Sequence, residues 1–444
     1  MREEDYKNYR LKYPIFRYKK YDIKELEDKI EISYLYEIEG LETFNHVIQI
    51  EKNMEFDTRS ISNLVFNLGL VELVSYWKAT CSPNVIIECG YLNEEQIAWF
   101  KKLYFNGLGE MFYRNGITNK IDDFMNITCT GKEINEPKVI KDYSDYIIPV
   151  GGGKDSCVTL ESLKNKDNLA MIVNPRNVTL ECAKIAEVKN VIKIYRKIDP
   201  NLINLNKRGF LNGHTPFSAM IAFLSTLVAY MTGRKYIALS NESSANEANV
   251  DGTNVNHQYS KTLEFENDYR YYCESYLNNE IEYFSFLRPI LEVEIAYLFS
   301  KLKKYHHVFK SCNVGSKEKD WVWCCNCSKC LFVYTILSPF LYKDELVSIF
   351  GEDLFAKEDL KETFIDLLGY GKNKPFDCVG TYEEVRYAVS KTILNLKDNK
   401  LPYLLEYYKD NYEIVNEDAL KFYTDKNNLN QEQTSILKGV LYDK

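Results

Sequence analysis

Tyr146-Ile-Ile-Pro-Val-Gly151-Gly152-Gly153-Lys154-Asp155-Ser156 is the stretch that decides the fold of this chain. An apolar run that breaks into three glycines and continues as a helical pattern predicts a strand, a tight loop and a helix. Because glycine readily adopts positive φ, successive N–H groups can converge on one anion beside the positive end of the helix. Lys154 adds a cation and Ser156 a hydroxyl donor. The stretch therefore predicts a phosphate-binding loop for ATP.

The spacing of this loop excludes two common phosphate motifs. A Walker loop needs Ser or Thr directly after its Lys, but Asp155 follows Lys154; a Rossmann fingerprint needs separated glycines, and these are contiguous. A carboxylate beside phosphates is repulsive unless Mg²⁺ lies between them or its charge orients the loop amides, and we expect Asp155 to act in one of these ways. A glycine-rich turn without a ligand is the alternative.

The remaining pattern resembles the PP-loop of the N-type ATP pyrophosphatases. These enzymes cleave ATP between its α and β phosphates and transfer AMP to a carboxylate or carbonyl oxygen. The resemblance implies that the end of the second strand, Asn174-Pro175, holds adenine through its backbone. It also implies an ATP-binding set of Gly151, Gly152, Gly153, Lys154, Asp155 and Ser156.

Length and composition predict a cytoplasmic, multi-domain protein. A chain of 444 residues with 45% hydrophobic content can bury two or three cores. The longest apolar stretch, Phe217 to Met231, is too short for a bilayer, and the N-terminus lacks a signal-peptide core. The net charge of −8 argues against broad nucleic-acid binding, and twelve cysteines without a secretory signal indicate a reducing cytosol. The sequence leaves the oligomeric state open.

Hydrophobic patterns divide the chain into an α+β module (1–143), an ATP-binding domain (144–345) and a helical region (346–444). In the module we expect strands at Ile30–Ile38 and Val47–Ile50, with helices at Leu64–Lys78 and Asn93–Phe112. The middle part alternates helices with short β-rich runs, which predicts an α/β class domain with a doubly wound, five-stranded parallel sheet. Its candidate strands are Tyr146–Val150, Leu169–Asn174, Val191–Tyr195, Tyr236–Ser240 and Val308–Ser311.

Loops at the carboxyl ends of such strands bind ligands in open parallel sheets. Asn241 and Glu242 follow the fourth strand and complete the predicted cofactor-binding residues, and Glu247 lies further along the same loop. The two glutamates are candidates for Mg²⁺ or for an amine of the substrate, and ordinary solvated carboxylates are the alternative. His214 is a candidate cap for the helix that Pro216 opens.

A cysteine cluster is the second strong feature. In Cys324-Cys325-Asn326-Cys327-Ser328-Lys329-Cys330, two consecutive Cys-x-x-Cys steps place three thiolates on one turn, and Cys312 can supply a fourth. Four thiolates are the preferred ligands of structural zinc, so we predict Zn²⁺ at Cys312, Cys324, Cys327 and Cys330; free thiols or a redox pair are the alternative. Cys325 has no place in this spacing. The 7-cyano-7-deazaguanine synthases, another branch of ATP pyrophosphatases, have a similar arrangement.

Several segments together resemble the UDP-N-acetylmuramoyl-L-alanyl-L-glutamate epimerases over nearly the whole chain. They are Phe66–Lys78, Tyr91–Phe100, Phe105–Glu110, the phosphate loop, Asn241–Asn246, Val255–Lys261, Leu287–Pro289, the cysteine cluster and Lys374–Thr381. Cys325 is extra relative to that pattern, and Asp377 stands where Glu is expected. The resemblance implies that ATP converts the glutamate of UDP-MurNAc-L-Ala-L-Glu to an acyl-adenylate with an acidic Cα–H, releasing AMP and pyrophosphate.

The sequence offers two candidates for the residues that move the proton. His257 is the first candidate, since histidine titrates near neutrality and this one lies in a polar segment; a structural histidine is the alternative. Cys378, outside the cysteine cluster, is the second, because racemases can use thiolates. Lys261 and Arg288 are candidates to bind the γ-carboxylate or the diphosphate. Asp155 completes the predicted catalytic set.

Two other functions stay open at this level. One is another AMP-forming PP-loop enzyme, such as a 7-cyano-7-deazaguanine synthase-like or tRNA-modifying enzyme, and the other is an adenine-nucleotide sensor. A tRNA enzyme should carry a basic appended domain, and this acidic chain shows none.

Overall fold

The computed structural model describes residues 2–247, 249, 255–318, 320–372, 374–397, 400–415 and 422–442. Its strands are β1 (Ile15–Glu25), β2 (Lys29–Ile38), β3 (Glu42–Glu51), β4 (Asn84–Ile87), β5 (Asn126–Cys129), β6 (Ser144–Pro149), β7 (Asn168–Val173), β8 (Asn190–Lys197), β9 (Arg234–Leu239) and β10 (Glu282–Ser285).

The described residues also form sixteen α-helices. They are α1 (Glu3–Lys12), α2 (Ser62–Trp77), α3 (Glu94–Gly107), α4 (Gly109–Asn115), α5 (Lys154–Ser162), α6 (Asn177–Ile185), α7 (Pro200–Lys207), α8 (Phe217–Thr232), α9 (Leu263–Tyr272), α10 (Glu292–Lys301), α11 (Ser328–Leu337), α12 (Lys343–Phe350), α13 (Lys361–Leu367), α14 (Tyr382–Leu396), α15 (Tyr403–Asn411) and α16 (Gln431–Tyr442). Among these, none is long and apolar enough to cross a membrane.

Within the described residues the strands form a ten-stranded mixed sheet, in the order β10-β9-β6-β7-β8-β3-β2-β1-β4-β5. Pairing is parallel for β6 with β9, β1 with β4 and β4 with β5. It is antiparallel for β1 with β2, β2 with β3 and β3 with β8. The α/β class is confirmed, but the predicted five-stranded sheet is wrong, because β3 pairs with β8 and adds the N-terminal strands to the predicted set.

Four of the five strands predicted for the middle part are present, with ends that differ by one or two residues. The fifth, Val308–Ser311, is wrong. The N–H groups of Val308 and Phe309 donate to the Tyr305 carbonyl oxygen in a turn, at 2.9 and 3.0 Å, and the Lys310 N–H donates to Gly152 O at 3.0 Å. These amides are therefore engaged by a turn and by the glycine loop (residues 151–153) rather than by a neighbouring strand.

The N-terminal predictions follow from clear periodicity. Alternate residues of β2, from Ile30 to Ile38, are fully buried, and Tyr34 and Tyr36 donate their hydroxyls to backbone carbonyls of α2. Gly69 of α2 permits this approach, since a Cβ there would lie 2.1 Å from a tyrosine hydroxyl of β1. The predicted helix over Asn93–Phe112 is present as α3 and α4, interrupted at Leu108.

The chain forms two compact units, each assembled from separate stretches. The first unit comprises Met1–Ile147, Ile192–Ile237 and Asn254–Tyr283, and the second comprises Ile148–Val191, Ala238–Thr253 and Phe284–Lys444. From residue 346 onward, the described residues form helices and no strand, in agreement with the expected helical region. The division at 143 and 345 stays a prediction.

Candidate active site

The glycine loop has the predicted strand–loop–helix form. Gly152 has φ +78°, and a Cβ there would lie 2.8 Å from Val178 Cγ1 of α6, so backbone strain and close packing both require glycine. A Cβ on Gly151 would meet nothing within 4 Å, so this side of the loop is open. Gly153 is the N-cap of α5 and brings no side chain to cover the amides of the first turn. The loop is thus shaped to present N–H groups to an anion.

Lys154 lies inside the protein, with only 2% of its side chain exposed. Its ammonium group pairs with the carboxylates of Asp155 and of Glu292, the first residue of α10. Burial by itself lowers the pKa of Lys154, but the two carboxylates outweigh it and raise the pKa, so the ammonium stays charged. Ser156, the expected phosphate donor, donates its hydroxyl to Gly153 O at 3.0 Å.

A group of buried carboxylates accompanies this lysine. Burial raises the pKa of Glu292. Lys154 opposes this shift, and the negative charges of Asp155 and Glu242 reinforce it. Glu384 of α14 accepts the N–H groups of Thr381 at 2.8 Å and Val293 at 3.3 Å, and burial raises its pKa. Sequence reasoning missed Glu292 and Glu384, although the Thr381-x-x-Glu384 capping box was a readable signal.

The loop after β9 is held by buried polar contacts within the second unit. Asn241 Nδ2 donates to Ser285 Oγ at 3.0 Å, and Arg288 Nη1 donates to Glu242 O at 2.6 Å. Arg288, predicted as an anion ligand, is only 1% exposed, and its guanidinium group holds the backbone of this loop. Glu247 pairs with the buried Lys374, which leaves Glu242 as the better magnesium candidate of the two predicted glutamates.

Cys378 is half-buried in a loop that packs on the N-terminus of α11. Lys329, which the sequence argument did not select, donates its ammonium to Cys378 O. Asp377 accepts from Ser328 and from Asn313, the latter at 2.6 Å. Glu384, in the helix that follows the Cys378 loop, accepts hydrogen bonds from Thr381 and from Val293 of α10. The end of the Cys378 loop is thus linked to α10, whose first residue, Glu292, pairs with Lys154.

The four predicted cysteines converge in the second unit, where the Sγ atoms of Cys312, Cys324, Cys327 and Cys330 all lie within 4.8 Å of one another. Two of the separations are 3.9 and 3.8 Å. A zinc tetrathiolate with Zn–S bonds of about 2.3 Å has S–S edges of about 3.8 Å, so these side chains could hold zinc. Cys325 is excluded, as expected, because its Sγ donates to Phe350 O at 3.1 Å.

His257 lies in the first unit, beside two residues that the sequence argument did not connect to it. Its Nδ1 is 2.5 Å from Glu110 Oε2, and the Nδ1 of His214 is 3.9 Å from the same oxygen. The two imidazole rings are 4.2 Å apart between centroids. His214, considered as a helix cap, belongs instead to this histidine–carboxylate cluster (Glu110, His214 and His257).

Close backbone approach places His214 beside α4. A Cβ on Gly213 would lie 2.6 Å from Met111 Cγ, and Lys78 Nζ donates to Gly213 O at 2.8 Å. On the other side, an Asx turn in which the Gln258 N–H donates to Asn256 Oδ1 at 2.7 Å holds the His257 segment.

The charges of the histidine–carboxylate cluster favour one protonation pattern. Burial opposes ionisation of Glu110, but the hydrogen bond from His257 and the charge of Arg114 outweigh burial and lower the pKa of Glu110. Burial, His257 and the ammonium groups of Lys78 and Lys261 lower the pKa of His214 to about 4. Glu110 is therefore an anion near neutral pH, and His214 is neutral.

Comparison with known proteins identifies the family. Residues 7–286 match the model of the MurL N-terminal domain, and residues 308–419 match that of the MurL C-terminal domain. The chain belongs to the MurL family. This confirms the resemblance drawn from the sequence segments.

Three relatives of this MurL-family chain carry the name UDP-N-acetyl-alpha-D-muramoyl-L-alanyl-L-glutamate epimerase. The protein from Salinispora tropica is 34% identical over 73% of this chain and 71% of its own length. That from Xanthomonas oryzae pv. oryzae is 32% identical over 73% of each, and that from Micromonospora sp. 33% identical over 79% of this chain and 80% of its own. None of the solved structures matches the chain.

The MurL-family chain distributes the predicted site residues over its two units. The second unit holds the phosphate loop, Asn174 and Pro175 after β7, the Asn241–Glu242 loop, Cys378 and the four cysteines. The first unit holds His257 and Lys261, and Lys261 is the last residue of a short 3-10 helix, Tyr259–Lys261, that begins two residues after His257. Asn174 adopts φ 49°, a left-handed turn that ends β7 directly before Pro175.

Proposed function

We propose that this chain epimerises the terminal L-glutamate of UDP-MurNAc-L-Ala-L-Glu to D-glutamate, in an ATP-dependent reaction of peptidoglycan precursor synthesis. Membership of the MurL family and the names of the three relatives support epimerisation of this substrate. The observation that carries the ATP requirement is the open glycine loop at residues 151–153, with Lys154 and Asp155 at the start of α5.

The chemistry explains the need for ATP. Removing the Cα proton beside a free carboxylate would place a second negative charge on an anionic group. An oxygen of that carboxylate instead attacks the α-phosphorus of ATP and expels pyrophosphate, which gives an acyl-adenylate whose acyl group no longer carries the carboxylate charge. Loss of the Cα proton then forms an enolate that fixed donors can stabilise, and a proton returns to the opposite face. Water finally hydrolyses the mixed anhydride to AMP and the D-glutamyl product.

Residues of the second unit fit the nucleotide half of this reaction. The amides of Gly151 to Ser156 would bind the triphosphate, and the backbone at Asn174 and Pro175 would bind adenine. The carboxylates of Asp155 and Glu242 are the groups that would hold Mg²⁺, which supplies charge neutralisation between phosphates when bound. For the peptide half, His257 and Cys378 are the proposed proton-transfer residues and Lys261 the ligand of the γ-carboxylate.

The proposal includes a structural zinc at Cys312, Cys324, Cys327 and Cys330. The sulfur separations fit a closed tetrathiolate, which has no position for a substrate. Its ligands span the segment that leads into α11, so the metal would fix Lys329 and, through it, the backbone of Cys378.

Pyrophosphate release tests this function. The chain is incubated with ATP, with and without UDP-MurNAc-L-Ala-L-Glu, and the stereochemistry of the recovered glutamate is analysed. We expect pyrophosphate only with the peptide, together with D-glutamate, and a loss of at least about 100-fold in Asp155→Ala. Asp359→Ala, an exposed aspartate of the same unit, is the matched control. Peptide recovered entirely in the L form would refute the proposed reaction.

A further inference from the structure

Glu110 and His257 form a carboxylate–imidazole pair that no sequence motif predicts. Glu110 lies in the first turn of α4, and its side chain is 7% exposed; that of His257 is 14% exposed. The 2.5 Å separation between Oε2 and Nδ1 is a direct hydrogen bond. Arg114 Nε lies 2.5 Å from the other carboxylate oxygen of Glu110, which restrains its rotation. The pair is therefore both partly desolvated and held in one orientation.

This geometry selects a tautomer of His257. An ionised carboxylate accepts hydrogen bonds and cannot donate them, so Nδ1 must carry the proton that lies between the two groups. A neutral imidazole protonated at Nδ1 has its basic lone pair at Nε2. The same carboxylate stabilises the imidazolium that forms when Nε2 accepts a proton.

A metal ion is the alternative occupant of this cluster, because ligand atoms of Glu110, His214 and His257 all lie within 4.8 Å of one another. The direct hydrogen bond between Glu110 and His257 and the charges nearby favour a proton instead. The cluster also has cations around it, since Arg114 pairs with Glu110 and the charges of Lys78 and Lys261 act on His214. A further divalent cation would be repelled by these groups.

We propose that Glu110 is a positioning residue that holds His257 with its proton on Nδ1, so that Nε2 of His257 takes the Cα proton of the substrate glutamate. The C–H bond breaks, an N–H bond forms at Nε2, and the electron pair passes to the enolate of the acyl-adenylate. His214, with its ring centroid 4.2 Å from that of His257, limits rotation of the catalytic ring. This inference rests on the proposed function, which supplies the acidified Cα–H.

Deuterium uptake at Cα separates the proton transfer from activation of the carboxylate. Wild type, Glu110→Gln, Glu110→Asp and His257→Gln are incubated with ATP and UDP-MurNAc-L-Ala-L-Glu in D₂O, and both pyrophosphate and deuterated glutamate are measured. We expect Glu110→Gln to lower the kcat for deuterium uptake by at least about 100-fold with KM unchanged, while a burst of pyrophosphate persists. Glu110→Asp should recover part of the rate, and Glu94→Gln, an exposed glutamate of α3, should match wild type.

The outcomes separate the two proposals. Absence of peptide-dependent pyrophosphate in wild type would refute the proposed function, whereas an active wild type with unchanged deuterium uptake in Glu110→Gln would refute the role of Glu110 alone. Nitrogen-15 NMR of the imidazoles gives a second readout: we expect Nδ1–H for His257 in wild type and a mixture of tautomers in Glu110→Gln. A divalent ion bound by wild type and lost in His214→Ala, with the cysteine cluster unaffected, would also overturn the inference.

Discussion

The cysteine cluster and the histidine–carboxylate cluster bring together metal-binding side chains in two different ways. In the first, neighbouring sulfurs lie 3.8 and 3.9 Å apart, which is the spacing that a zinc ion between them requires. In the second, a carboxylate oxygen of Glu110 and a ring nitrogen of His257 lie 2.5 Å apart, which is the distance of a direct hydrogen bond. The separation of donor atoms thus fits a zinc ion in the first cluster and a direct hydrogen bond in the second, although both residue sets are chemically able to bind metal.

The two clusters also differ in how the chain assembles them. The cysteines lie between residues 312 and 330, so a short loop suffices to bring them together. Glu110, His214 and His257 come from distant parts of the chain and meet through the fold of the first unit. Local spacing therefore reveals the first cluster and hides the second.

The largest effect is expected at the cysteine cluster. Cys327→Ser should reduce zinc from about one ion per chain to almost none, because three thiolates do not close the tetrahedron. Structural zinc contributes about 10 to 16 kcal/mol of binding free energy in small peptides, so we expect a loss of several kcal/mol in the free energy of unfolding. Elemental analysis and urea unfolding measure both quantities. The comparison would break if zinc stayed bound in Cys327→Ser or fell equally in His214→Gln.

A smaller effect is expected in the pH dependence of the histidine–carboxylate cluster. The pKa of His214 is lowered from the ordinary 6.5 to about 4, chiefly by burial and by His257. Lys78 and Lys261 lower it further, while Glu110 opposes the shift. In the unfolded chain His214 therefore binds a proton near pH 6.5, whereas in the folded chain it binds one only near pH 4. Stability falls as pH drops through this window, by up to about 1.4 kcal/mol per pH unit for one proton.

In His214→Gln we expect this part of the slope to disappear, because the proton-binding group is gone from both states. Urea midpoints measured from pH 7 to pH 4 for wild type and variant test it. An identical slope in the two proteins would show that His214 is protonated in the folded chain and would contradict the neutral assignment.

The smallest effect is expected at Cys325, which is adjacent to the proposed zinc ligands but whose thiol hydrogen-bonds away from them. Burial raises the pKa of its thiol to about 11, and its Sγ donates to Phe350 O. Serine keeps a donor of similar shape, so Cys325→Ser should leave zinc unchanged and alter the free energy of unfolding by about 1 kcal/mol or less. Loss of zinc in Cys325→Ser would show that Cys325 is a zinc ligand and that the cluster includes a fifth cysteine.

Predictions from local patterns succeeded where a short segment contains its own partners. The glycine loop, the alternating burial of β2 and the excluded Cys325 follow from spacing within a few residues. The prediction for Val308–Ser311 failed because a β-rich segment becomes a strand only if an adjacent strand can form backbone hydrogen bonds with it. Glu292, Lys329 and Glu110 were missed, since each gains its role from a residue far along the chain.

The sequence by itself determined the MurL family, the strand–loop–helix at residues 151–156 and the set of four thiolates, because glycine conformation and Cys-x-x-Cys spacing act over single turns. Only the tertiary structure decided that β3 joins β8, that Lys154 pairs with Glu292, and that Glu110 meets His257. Those contacts depend on the packing of distant segments, whose geometry no local pattern encodes.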